Sequence, residues 1–173
     1  MVQTRDKPLL LVDVDGVISL FGFRPDRCPP GTWLNVEGIP HLISAAAAEH
    51  LLALSDHFEL AWCTGWEEKA NEHLVAALGL PAALPYLTFA AAPETTAHWK
   101  LAAVDAHAGD RPLAWVDDAF NDACHAWAAA RPARTLLVPT SPVEGLGARQ
   151  VAELERFARA RGCERSHGRH VDG

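Results

Sequence analysis

The chain has little of what marks several large classes of protein. Its four cysteines, Cys28, Cys63, Cys124 and Cys163, lie far apart and form no CxxC pair. That spacing argues against a zinc knuckle or a disulfide framework and leaves free thiols as the plain reading. No stretch approaches the roughly 18 consecutive apolar residues of a membrane span. The opening MVQTRDKP lacks the apolar core of a secretory signal, so a cytoplasmic protein with no membrane partner is expected. Basic charge is scarce: 15 Lys and Arg face 22 Asp and Glu, for a formal net charge of −7. Residues 149–173 are the exception, with six arginines against four acids. An acidic body disfavours a polyanion such as nucleic acid as partner. The nine histidines show no HExxH or similar metal spacing, which points to surface or capped roles. There is no internal repeat.

At 173 residues and 49% hydrophobic, the chain can bury one sizeable core, so a single domain over residues 1–162 is expected. Residues 163–173, rich in Gly, His and Arg, offer nothing to pack and are expected to fray. Four apolar runs are short and unbroken: LLLV at 9, FELAWC at 58, PLAWV at 112 and TLLV at 135, with YLTF at 86 a weaker fifth. Unbroken runs of this length suit strands covered on both faces. Helical patterns fall between them, at His41 to Leu54, Glu67 to Leu78 before Gly79, Thr96 to His107 before Gly109, Ala119 to Ala130 before Arg131-Pro132, and Ala148 to Arg161 before Gly162. The alternation predicts an α/β protein with a doubly wound parallel sheet and helices on both faces. A ligand site belongs beyond the carboxyl ends of such strands.

Polar groups able to do chemistry stand at those ends. Asp13 and Asp15 follow the first run, Thr64 the second, and Asp117 and Asp118 the third. Two unit charges about 4 Å apart repel by roughly 4 kcal/mol at an effective dielectric near 20, and at least three carboxylates would converge here. Either some are protonated or a divalent cation binds. Oxygen-only ligands that share the ion with water and a substrate phosphate suit Mg²⁺ better than Ca²⁺.

The set DVDGV at 13, Thr64 in AWCTGW, Lys100 in TTAHWKLA and WVDDAFND at 115 resembles, in order, the four motifs of the haloacid dehalogenase superfamily of phosphatases and phosphotransferases. The resemblance covers roughly residues 8 to 140 and implies a Rossmann-like fold with the first strand central. It implies that Asp13 is the nucleophile that forms an aspartyl phosphate and also a Mg²⁺ ligand. Asp15 would protonate the leaving oxygen, then activate water, with its backbone carbonyl on the metal. That geometry requires the chain to leave the extended form after Asp13, which Gly16 permits. Thr64 would hydrogen-bond a phosphoryl oxygen together with the backbone N–H of Gly65, and Lys100 would neutralise the phosphate. Asp118 would be the main fourth-motif metal ligand, with Asp117 and Asp122 orienting it or binding metal-bound water. Asp118 also suits an N-cap for the following helix.

Plainer readings exist for each of these residues. Asp13 and Asp15 suit a turn, Thr64 suits a helix cap, and only its spacing distinguishes Lys100 from Lys69. Trp66, directly after Thr64-Gly65, and Trp33 and Arg24, in the loop after the first motif with Phe21 and Phe23, are candidate substrate contacts. Only 48 residues separate Asp15 from Thr64 and 35 separate Thr64 from Lys100. The spacing leaves room for a small flap over residues 19–40 but for no large cap domain, so an open site is expected. By resemblance, such a site takes a phosphorylated macromolecule, or a small phosphomonoester held with the help of a second copy in a homo-oligomer. Rival readings are a phosphotransferase, a phosphoacceptor of receiver type, and a phosphate-binding protein of the same fold with weak turnover. A receiver would place its acidic pair before its Thr and Lys, whereas here Asp117-Asp118 follows both.

Overall fold

The structure is a computed structural model that describes residues 7–160. In chain order it runs β1 (Leu9–Val12), β2 (Ser19–Leu20), β3 (Gly31–Val36), β4 (Ile39–Ser44), α1 (Ala45–Leu54), β5 (Glu59–Trp62), α2 (Lys69–Ala77), α3 (Leu101–Ala108), β6 (Leu113–Asp117), α4 (Asp122–Ala130), β7 (Thr135–Pro139) and α5 (Ala148–Arg159). The central sheet is β5-β1-β6-β7, and every pairing in it is parallel. Period-two alternation divides its side chains between two cores. Leu10, Val12, Leu60, Trp62, Ala114 and Val116 face α1, α2 and α5 through Leu51, Leu54, Ala70, Leu74 and Leu154. Leu9, Leu11, Ala61, Leu113 and Trp115 face α3 and α4 through Val104, Ala108 and Cys124. The fold is therefore α/β with helices on both faces of a parallel sheet. All four residues of β1 are fully buried, each leucine contributing about 1.5–3 kcal/mol of transfer free energy.

Several boundaries depart from the sequence pattern. YLTF forms no strand: Tyr86 makes a single parallel bridge to Trp62, flanked by hydrogen bonds from Trp62 N to the Pro85 carbonyl (2.8 Å) and from Leu87 N to the Trp62 carbonyl (3.0 Å). The helix expected from His41 begins only at Ala45, because Ile39–Ser44 pairs as a strand. Ser44 caps α1 by accepting from Ala47 N at 3.2 Å. The helix expected from Thr96 opens as a 3₁₀ turn, Ala97–Lys100, before α3. α4 starts at Asp122 and is capped by Asn121, whose side chain accepts from Cys124 N at 3.2 Å, so Asp118 is not the cap. Gly79 and Gly109 stop their helices at φ +66° and +51°. Arg161, Gly162, Cys163 and the expected fraying tail lie outside the described residues. Among the described residues, no helix is long and apolar enough to cross a membrane.

Residues 19–44 build a small antiparallel sheet, β2-β4-β3, beside the end of β1. β3 and β4 meet in a two-residue turn, Glu37-Gly38, with φ +52° and +87°, inside the pair Val36↔Ile39. Positive φ at both central residues suits the right-handed twist of a hairpin. The Asn35 side chain accepts from Gly38 N at 2.9 Å and pins the turn. Pro40 is tolerated because its pair with Asn35 is the non-hydrogen-bonded one next to Val36↔Ile39, so its nitrogen points away from β3, and on that side β2 reaches only Leu42 and Ile43.

Candidate active site

β1 leads directly into Asp13, whose N–H still bonds the Val116 carbonyl of β6 at 3.1 Å. Beyond it the chain turns back, with Ile18 N and Ser19 N both donating to the Val14 carbonyl at 2.8 and 2.9 Å. Gly16 takes φ +76°, and a Cβ there would collide with the Asp118 carboxylate. Glycine is required twice over, for the backbone angle and for the approach of Asp118. Thr140 fixes the turn from β7, its hydroxyl donating to the Gly16 carbonyl at 2.8 Å.

Carboxylate oxygens of Asp13, Asp117 and Asp118 lie within 4.8 Å of one another. Lys100 reaches into the same place and is 4% exposed. Its ammonium is 2.7 Å from Asp117 Oδ2 and 3.2 Å from Asp13 Oδ1, and it donates to the Cys63 carbonyl at 3.0 Å. One lysine thus joins the ends of β1, β5 and β6. Asp13 Oδ1 also accepts from Val14 N at 2.8 Å, and Asp117 Oδ1 from Ala119 N at 3.0 Å.

The electrostatics follow from burial. Desolvation pushes the Asp13 carboxyl up to about 7; Lys100 counters the rise and Asp117 adds to it. Asp118 is raised as well, by desolvation and then by the Asp117 charge. Burial opposes the Lys100 ammonium, but Asp13 and Asp117 outweigh it and hold the proton more tightly than usual. Desolvation pushes the Cys63 thiol far up, so this cysteine is an inert core group. Three acids against one ammonium leave negative charge uncompensated in a poorly solvated place, which a hard divalent cation would relieve.

A cavity of about 190 Å³ opens over this cluster, lined by Asp13, Asp15, Thr64, Gly65, Lys100, Asp117 and Asp118, and also by Glu94 and Trp99. Thr64 is buried, and its hydroxyl accepts from Trp66 N at 3.3 Å. The turn behind it is held by Glu67, a non-glycine residue at φ +50° whose carboxylate accepts from Phe89 N at 2.9 Å. Asp15 enters the cavity beside Gly65 and accepts from the Trp66 indole at 2.9 Å.

Asp13, Asp15, Thr64, Gly65, Lys100, Asp117 and Asp118 are therefore together, and Trp66 adjoins them. Asp122 is not with them: as the first residue of α4 it is exposed and outside both the carboxylate cluster and the cavity. Trp33 and Arg24 are also elsewhere. Strand alternation places Trp33 on the face of β3 opposite Leu34 and Val36; it is 57% exposed, with its ring centroid 6.3 Å from that of Phe23. Arg24 is exposed and holds Asp26 through two bonds of 2.9 and 3.1 Å. Sequence reasoning missed His41, Glu94 and Trp99. His41 sits 3.6 Å from Asp15 Oδ1, although its spacing suggested an ordinary surface role. The signal available was the period-two pattern of LNVEGIPHLI around a Glu-Gly turn.

No family model matches the chain, and no curated protein does. Among solved structures, a hypothetical protein from Xanthomonas campestris is similar at 16% identity, covering 91% of this chain and 86% of that one, with a TM-score of 0.44. What the site can do follows from its own geometry.

Proposed function

We propose that the chain is a capless member of the haloacid dehalogenase superfamily and a Mg²⁺-dependent phosphomonoester hydrolase that works through an aspartyl phosphate on Asp13. The observation that carries this reading is the convergence at one cavity of Asp13, Asp117, Asp118 and the buried Lys100, contributed by the ends of two strands and the turn before α3. Nucleophile, metal ligands and a phosphate-neutralising cation are the parts that phosphoryl transfer to a carboxylate needs.

The donor set fits magnesium: it is all oxygen, it clusters within 4.8 Å, and Gly16 makes room for Asp118 to join. Asp13, Asp118 and Asp117 would hold the ion, with the Asp15 carbonyl added by resemblance. A Mg²⁺ ion there supplies the charge that keeps Asp13 ionised and offsets the phosphate. The Asp13 carboxylate attacks phosphorus, the P–O ester bond breaks, and the leaving oxygen takes a proton from Asp15. Asp15, now ionised, draws a proton from water, whose oxygen bonds to phosphorus as the Asp13–phosphorus bond breaks, releasing inorganic phosphate and restoring the Asp13 carboxylate. Thr64, Gly65 and Lys100 line the cavity; the Thr64 hydroxyl and the Gly65 N–H would bond phosphoryl oxygens, and Lys100 would balance their charge.

Phosphorylated small molecules or macromolecules are both compatible with the open cavity. The test is phosphate release from p-nitrophenyl phosphate by purified protein. Release should require Mg²⁺, stop with EDTA and vanish in Asp13→Asn. Turnover that survives chelation, or equal turnover by Asp13→Asn, overturns the mechanism.

A further inference from the structure

The Asp15 carboxylate is half-exposed, yet both of its oxygens face ring nitrogens. Trp66 Nε1 donates to Oδ2 at 2.9 Å, and His41 Nδ1 lies 3.6 Å from Oδ1. The rings come from different elements, Trp66 from the turn after β5 and His41 from β4. They meet edge to face, with centroids 4.7 Å apart and planes at 72°. His41 is anchored in turn by the Ser19 hydroxyl of β2, 2.9 Å from Nδ1. The small sheet thus reaches the catalytic residue proposed above through a chain of Ser19, His41, Trp66 and Asp15.

We infer that Trp66 and His41 are positioning residues for the proton transfer at Asp15, an inference that rests on the hydrolase reading. An indole N–H only donates, so the Asp15 oxygen it touches is committed to accepting. The other oxygen, Oδ1, is the one left to exchange a proton with the leaving group. His41 braces the indole edge-on and keeps it in that bond. A second cavity of about 270 Å³, lined by Asp15, His41, Trp66, Ile39 and Gly65 among others, shares Asp15 and Gly65 with the first. Asp15 therefore stands between the phosphate end and a compartment that can take the rest of the ester. A general acid must be placed there.

Two esters of similar shape separate positioning from mere structural support. Phenolate needs a proton as it leaves; 2,4-dinitrophenolate does not. In single turnovers with Mg²⁺, Trp66→Phe keeps an aromatic ring and removes the N–H. It should slow phenol release at least about 10-fold more than dinitrophenol release, within the roughly 10²–10⁴-fold range of general acid catalysis. His41→Ala should show the same selective loss, and His41→Phe, which retains a ring against the indole, should recover part of it. Equal slowing of both esters, or no slowing, overturns the positioning role while leaving the hydrolase reading in place. A wild-type protein that cleaves neither ester overturns both.

Discussion

Asp13→Asn should abolish turnover and yet, without metal, stabilise the fold. Asp13 is raised from an ordinary value of 3.8 to about 7, chiefly by burial. A carboxyl that holds its proton more tightly folded than unfolded destabilises the folded state wherever it must ionise. The penalty is absent below about pH 4, grows between pH 4 and 7, and is fully present above 7; a gap of about three pH units corresponds to about 4 kcal/mol. Asparagine removes that penalty but also one partner of Lys100, which keeps Asp117 at 2.7 Å. The raised value already includes the opposing pull of Lys100, so a net gain of up to about 4 kcal/mol follows, or roughly 8–16 °C in Tm for a chain of this size. The assay is thermal unfolding of both proteins in EDTA from pH 4.5 to 8.5. The advantage of the variant should be largest at pH 8.5, shrink as pH falls and disappear near pH 4.5. Added Mg²⁺ should favour the wild type, because the variant has lost a ligand. A variant no more stable than wild type at pH 8.5 in EDTA, or an advantage that ignores pH, would refute the reasoning.

Two further substitutions test the frame around the site. Gly16→Ala places a methyl group on the Asp118 carboxylate at a φ of +76°; it should cost about 1–3 kcal/mol and weaken Mg²⁺ binding measured by calorimetry. Asn121→Ala removes the cap of α4 and its contacts of 3.2 Å to Thr96 and 3.1 Å to His98. It should lower the urea midpoint by the equivalent of about 1 kcal/mol with an unchanged slope.

The strands of the central sheet were legible because β1, β5, β6 and β7 are covered on both faces, so their side chains form unbroken apolar runs. The carboxylates at their ends were legible for the same reason: a buried strand fixes where its last residue points. The small sheet was not. Its turn is Glu-Gly rather than the favoured Asn-Gly, and Pro40 interrupts the strand signal, so the pattern around His41 reads as the start of a helix. Without the β3–β4 register, neither the approach of His41 to Asp15 nor the outward facing of Trp33 can be deduced. Lys100 and Lys69 are alike in sequence, and only packing separates them. Lys69 pairs with Glu37 at 2.6 Å on the surface, whereas Lys100 is enclosed by groups from three strands.

Those three partners of Lys100 sit at positions 13, 63 and 117, so the residues it gathers span more than half of the chain. No fragment short of the docked β1, β5 and β6 can assemble them. In refolding from urea, recovery of phosphate release should therefore lag behind helix formation and keep pace with burial of the last of these strands. On the hydrolase reading, recovered turnover would then time the completion of the sheet.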